Sequence, residues 1–199
     1  FFYDKINLIF IKEFLTFSDV AIFSMTKLLA MAWTFLPLSF STSIITKELK
    51  FSNGIYLAKA YRIIFLTSVP VLFITFLFSE EVIMMTLGTY YQDSIHYLFW
   101  MCTLAMFSCV NITTNRVLAS RVESGKKFLI RKSVILSLVS IIFGYLLVKE
   151  YGIYGALINA SIIMFIELFV LNIHYDSTYF RKVYTYLIKV PEQEYEHSS

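Results

Sequence analysis

The chain has 199 residues, 58% apolar and 18% aromatic with 16% charged, and its mean hydropathy is +0.68. A soluble domain is about 45 to 50% apolar and about a quarter charged, so this composition excludes the ordinary soluble class. With 20 Phe and 14 Tyr beside 6 Gly and 3 Pro, it also excludes disordered, collagen-like and low-complexity chains. The net charge of +3 is small, and its distribution carries the information. At about 20 residues per span the length allows at most six helices with short connections and leaves no room for a separate soluble enzyme domain. No positively charged leader precedes the first apolar run, so no signal peptide is expected and the chain reads as a fragment of something longer.

Six apolar segments follow one another: 1–11, 19–46, 61–78, 94–118, 128–148 and 154–173. The first is the end of a truncated helix, and each of the other five is long enough to span a bilayer. None alternates with the strict period of two that an outer-membrane strand requires, so helices are predicted. The expected fold is all-α: a polytopic membrane helix bundle of five full transmembrane helices plus the end of a sixth over residues 1–175, with 176–199 as a cytoplasmic C-terminal tail.

Basic residues test this reading, because they stay on the cytoplasmic side of a membrane. Lys and Arg in the successive connections and the tail number 1, 4, 0, 6, 1 and 3. Such alternation fits a chain that crosses at every segment and ends on the cytoplasmic side. Tyr90, Tyr91, Tyr97, Tyr151 and Tyr154 flank the predicted outer ends, and Tyr56, Tyr61, Tyr175 and Tyr179 the inner ones, where amphipathic rings settle at headgroup depth. The stretch 47–59 is expected along the cytoplasmic surface as a basic amphipathic segment. Pro37 and Pro70 fall inside spans, where each removes a backbone hydrogen bond and kinks the helix.

Charge inside apolar segments is the sharpest chemical signal. Counting from the outer boundary at about 1.5 Å per residue places Asp4, Lys5 and Lys27 about 10 to 12 Å deep, on one level of two consecutive helices. A charge at mid-membrane costs at least about 2.5 to 3.5 kcal/mol, so such groups face an aqueous cavity or one another. Lys27 cannot reach water by snorkelling, since its stem extends about 6 Å; Asp4 and Lys5 have the alternative of a ragged terminus outside the core. Asn159 lies at similar depth, and Asn111 and Asn115 lie toward the inner end of their span. A lone Asn in a bundle more often serves as an interhelical hydrogen bond. Glu167, deep in the last helix, must take up a proton or pair with a cation.

Other chemistry finds little support. Cys102 and Cys109 would stand about 10 Å apart on a helix, beyond the roughly 7 Å limit of a disulfide. His96, His174 and His197 have no Cys or carboxylate at ligand spacing, so no metal site is expected. No nucleophile elbow, His-Glu-x-x-His, P-loop or dinucleotide turn occurs, so neither an enzyme nor a cofactor is expected. The basic inner loop is explained by the positive-inside bias and nearby anionic lipids, without nucleic acid.

Asp4-Lys5-Ile6-Asn7-Leu8 followed by Ser18-Asp19-Val20-Ala21-Ile22-Phe23-Ser24 resembles the junction of the seventh and eighth helices in polysaccharide-type flippases, the Wzx-like O-antigen translocases of the multidrug/oligosaccharidyl-lipid/polysaccharide exporter superfamily. Lys27-Leu28-Leu29 through Phe35-Leu36-Pro37-Leu38 is similar to their eighth helix. Leu87-Gly88 with Tyr90-Tyr91-Gln92-Asp93-Ser94 is similar to their outer loop after the ninth helix, and Tyr151-Gly152-Ile153-Tyr154-Gly155-Ala156 to the start of their last core helix. The chain departs from the pattern at Ile45 and Thr46, where many members have a second proline. The resemblance implies the C-terminal lobe of a two-lobe exporter in the bacterial inner membrane, its partner being a six-helix N-terminal lobe absent from this chain. The substrate it implies is an undecaprenyl-diphosphate-linked oligosaccharide, and the further partners are membrane lipids and other glycan-assembly proteins. In that setting Lys27 and Lys5 pair with the diphosphate, Asn159 lines the cavity, and Asp4 or Glu167 couples movement to an ion gradient. Alternatives are a cation-coupled drug exporter of the same superfamily and a membrane glycan polymerase or ligase; the latter needs a basic outer loop, whereas 79–93 contains neither Lys nor Arg.

Overall fold

A computed structural model describes residues 3–189, and among these every regular element is a helix. Three helices are long and apolar enough to cross a membrane, Ile55–Leu77, Thr89–Ser120 and Glu123–Tyr175, and a bent pair between Phe17 and Phe51 makes a fourth if it forms one span. Apolar side chains cover the outside as well as the core: Leu66, Phe73 and Phe76 on one helix are 74%, 62% and 66% exposed. A soluble monomer rarely shows so continuous an apolar surface. The molecule has the character of a membrane protein.

Helix α1 (Tyr3–Phe14) leads through a short turn into α2 (Phe17–Ala32). Thr16 caps α2 in a reciprocal box: its Oγ1 accepts from Asp19 N at 3.2 Å, and Asp19 Oδ2 accepts from Thr16 N at 3.0 Å. Such boxes contribute about 1 kcal/mol, and here the box starts the helix two residues before the predicted apolar run 19–46. Between α2 and α3 (Phe35–Phe51) the axis bends by 47° at Trp33 and Thr34. Pro37 sits in the first turn of α3, where its missing N–H costs nothing, and its ring cannot tolerate a helical carbonyl four residues back, at Trp33. The bend therefore precedes the proline.

Ser52, Asn53 and Gly54 turn the chain into α4 (Ile55–Leu77), which runs through Pro70 without a break. The stretch 47–59 is thus not the surface-lying segment expected from its charge. It is the end of α3, a tight turn and the start of α4, held together because Glu48 is drawn inside. Short α5 (Ser79–Thr86) and a 3-10 turn (Thr89–Ser94) connect to α6 (Ile95–Ser120).

Helix α7 (Val122–Phe165) continues through a π-turn (Ile166–Leu171) and α8 (Asn172–Tyr175), yet it is not one rod. Lys132 Nζ lies 2.9 Å from Glu167 Oε1, whereas residues so far apart on a straight helix would be about 50 Å apart. The chain reverses at Gly152, whose φ of 59° and ψ of −132° only glycine adopts without strain, giving antiparallel arms 122–151 and 153–175. Gly155 lets the arms close: a Cβ there would stand 1.9 Å from the Leu147 carbonyl oxygen.

Finally α9 (Ser177–Ile188) packs Tyr179, Phe180 and Val183 into the core beneath α4. The predicted tail is thus, as far as Ile188, a docked helix; residues 190–199 lie outside the described region. Two apolar clusters form the core. One, around Tyr61, Ile64, Leu118 and Phe180, lies at the end where Arg62, Arg116 and Arg121 also sit; the other, around Ile11, Phe23, Leu98 and Leu157, lies toward the Gly152 reversal. The two free cysteines are buried, Cys109 in the first cluster and Cys102 in the second.

Candidate functional site

One set of interior polar groups gathers on three helical faces. On α6, Asn111 and Asn115 stand one turn apart. On the first arm of α7, Lys132, Leu136, Ser140, Gly144 and Val148 recur every fourth residue and are all buried. On the second arm the π-turn supplies Glu167 and, just after it, Asn172. Residues five apart would lie about 140° from each other on an ordinary helix, but a π-turn closes over five residues and brings both onto the face that meets Lys132.

Asn111, Asn115, Lys132, Glu167 and Asn172 form one hydrogen-bonded network, in which Asn111 Oδ1 and Asn172 Nδ2 are left without a partner. Lys132 Nζ, 3% exposed, donates to Asn115 Oδ1 at 2.7 Å, Glu167 Oε1 at 2.9 Å and Asn172 Oδ1 at 3.0 Å, which uses all three of its protons. Glu167, 2% exposed, also accepts from Asn111 Nδ2 at 2.8 Å on Oε2 and from Asn115 Nδ2 at 3.3 Å on Oε1. A carboxylate only accepts, so both amides must present Nδ2 to it, and this turns Asn115 Oδ1 toward the lysine. A buried ion pair holds only with such full satisfaction of its hydrogen bonds.

Beside the network lies a cavity of about 440 Å³. Asn111, Asn115 and Glu167 line it together with Lys5 and Asn7 of α1 and Lys27 of α2. Met101, Leu104, Leu157 and Met164 supply apolar wall. Two lysines on consecutive helices therefore border the same space as a carboxylate that already has its own cation.

The residues singled out from sequence divide as follows. Lys5, exposed, and Lys27, half-buried, both border the cavity. The Asp4 side chain lies outside the described region. Asn159 is fully buried and does not border the cavity: its Nδ2 donates to Asn7 Oδ1 at 2.6 Å and to Ser140 Oγ at 3.2 Å, while Asn7 Nδ2 donates to the Ala156 carbonyl at 3.1 Å. This bracing of α1 against both arms replaces the cavity role expected for Asn159. Glu167 has a resident cation in Lys132.

Lys132 lies in the predicted segment 128–148 and is one of the six basic residues counted for the inner connection, of which Lys126, Lys127 and Arg131 are exposed. Its signal was register, because it falls on the same helical row as Ser140 and Gly144, the small residues that let α1 approach.

Glu48 was also missed. It is fully buried, and its carboxylate accepts from Gly54 N at 2.8 Å, Tyr56 N at 3.1 Å, Leu57 N at 3.3 Å and Tyr179 Oη at 2.8 Å, so it caps the positive end of α4 and anchors α9. Arg121 completes this latch, stacking over the Tyr179 ring at 4.0 Å and pairing with Asp176 at 2.8 Å. Arg62 donates to the carbonyls of Tyr186 and Leu187 at the far end of α9. Burial, and after it the Glu48 charge, pushes the Tyr179 phenol up, so it remains a donor at neutral pH.

Among the described residues no group of three or more His, Cys, Asp or Glu side chains converges on a point that could hold a metal ion. No protein-family model, curated protein or solved structure matches the chain.

Proposed function

We propose that the chain is the C-terminal lobe of a flippase that carries undecaprenyl-diphosphate-linked oligosaccharide units across the bacterial inner membrane by alternating access. In this reading 17–51, 55–77, 95–120, 122–151 and 153–175 are five crossings and 3–14 is the end of a sixth. The basic end faces the cytoplasm, as the distribution of Lys and Arg favours. The carrying observation is that Lys5 and Lys27, from adjacent helices, border one cavity with polar side chains in a molecule whose outer surface is apolar. A diphosphate crossing about 30 Å of hydrocarbon needs water and fixed positive charge along its way. The cavity wall carries these two cationic side chains together with Asn7, Asn111 and Asn115, which supports such a passage. The lipid chain stays in the bilayer while a second lobe closes the other side and rocks against this one.

The test is export of lipid-linked repeat units in cells whose own flippase gene is deleted and which express the full-length protein carrying this chain. Lys27→Ala should lower export at least about tenfold, the effect of losing about 1.4 kcal/mol of binding, with the protein level in the membrane unchanged. Export equal to that of the unaltered protein would remove Lys27 from the mechanism. A second reading, a cation-coupled drug exporter, is favoured by one observation: Glu167 borders the same cavity. It predicts that Glu167→Gln abolishes ion-dependent drug efflux while repeat-unit export is indifferent to Lys27→Ala.

A further inference from the structure

The environment of the Lys132 ammonium is that of a bound monovalent cation. Three oxygens from two helical segments surround Nζ at 2.7 to 3.0 Å: Asn115 Oδ1 of α6, and Glu167 Oε1 and Asn172 Oδ1 of the second arm. One carries full charge and two are amide dipoles, the mixture that suits a single positive charge. Two of the three oxygens, those of Asn115 and Glu167, are held by contacts besides the lysine. Asn115 is also tied to Glu167 through Nδ2, and the other Glu167 oxygen is held by Asn111 Nδ2, whereas the Asn172 amide meets Lys132 through Oδ1 and its buried Nδ2 has no hydrogen-bond partner among the described residues. Two of the three oxygen-bearing residues, Asn115 and Glu167, also border the cavity, so the cage adjoins it on one side.

We propose that these residues form a monovalent-cation site which Lys132 fills permanently from within the chain. The ammonium is a tethered counter-ion: it neutralises Glu167, joins α6 to both arms of α7, and removes any need for a cation from solution there. Truncating the side chain empties the site and removes the Lys132 charge from the buried carboxylate, a destabilising change. A small cation entering from the cavity then takes the vacant place. Ammonium fits best, because it presents the same N–H donors to the same three oxygens, whereas choline has no donor and is too large.

The experiment measures thermal unfolding of the full-length protein in lipid nanodiscs at neutral pH, in ammonium chloride and in choline chloride at equal ionic strength. The unaltered protein should unfold at the same temperature in both salts. Lys132→Ala should unfold about 10 °C lower in choline and recover at least about half of that loss in ammonium. Lys132→Ala/Glu167→Gln, with no charge left in the cage, should unfold above the single variant in choline and give the same midpoint in ammonium. Equal midpoints for Lys132→Ala in the two salts, an ammonium response in the double variant, or no folded Lys132→Ala in either salt would each overturn the proposal. The readout involves no transported substrate, so its failure is separate from failure of the flippase reading.

Discussion

Tyr179 links the charge of one helix to the position of another. Its hydroxyl donates to a carboxylate enclosed by three backbone N–H groups, and its ring lies under the Arg121 guanidinium. A hydrogen bond to a charged acceptor is worth about 1.5 to 3 kcal/mol net, so Tyr179→Phe should lower the unfolding free energy by about 2 kcal/mol. The pH dependence follows from the raised phenol. A tyrosine held protonated in the folded state binds more protons there than in the unfolded chain once pH exceeds its ordinary value of 10.0. Its contribution is complete below that pH and is lost as pH rises above it. Denaturation between pH 7 and 11.5 should therefore show a decline above about pH 10 in the unaltered protein and a shallower one in Tyr179→Phe. Some decline remains, since burial also pushes the Tyr184 phenol up to about 12. Equal slopes would mean that folding does not hold the Tyr179 phenol protonated.

Among elements, the α7 hairpin does most to assemble the site, and it rests on one backbone conformation. Gly152 has φ of 59° and ψ of −132°, and a Cβ added there meets only Leu15 Cδ1 and Cδ2, at 3.7 Å. That is ordinary contact, so the cost of Gly152→Ala is purely conformational, about 1 to 3 kcal/mol. The variant should unfold earlier while keeping its helix content, as circular dichroism with a thermal ramp would measure; no loss of stability would mean the reversal tolerates an L side chain. The π-turn is the complementary device at the other end of the second arm. It departs from the regular ladder where Glu167 and Asn172 must share a face, and a single sequence offers no periodicity from which such a local change of period can be read. The bend at Trp33 and Thr34 was foreshadowed by Pro37, although its location up to four residues before the proline, where the ring would clash, comes from helix geometry rather than from hydropathy.

For the whole molecule, the prediction concerns orientation. Turns at one end of the bundle contain Asn53, and the connection at the other contains Thr89. If the basic end faces the cytoplasm, Thr89→Cys should be labelled by a membrane-impermeant maleimide added to intact spheroplasts, and Asn53→Cys only after lysis. The native thiols of Cys102 and Cys109 are buried, so the background should be low. Labelling of Asn53→Cys from outside would invert the topology and place the cavity lysines nearer the opposite leaflet.

Composition and hydropathy determined the helical class and the membrane character, because each depends on sums over many residues that no single contact can reverse. They also marked Lys5, Lys27 and Glu167 as charges that needed explaining, since burying an ionisable group in an apolar stretch is costly wherever the stretch goes. What they could not determine was pairing. The cation for Glu167 lay on the far side of a chain reversal, disguised among loop lysines, and Glu48 was indistinguishable from a surface acid beside Lys47 and Lys50. Asn159 had the depth of a cavity residue and the partners of a brace. Depth along a helix is a property of sequence, whereas the direction a side chain faces and the group that meets it are set when separate helices pack, and only the tertiary structure decides them.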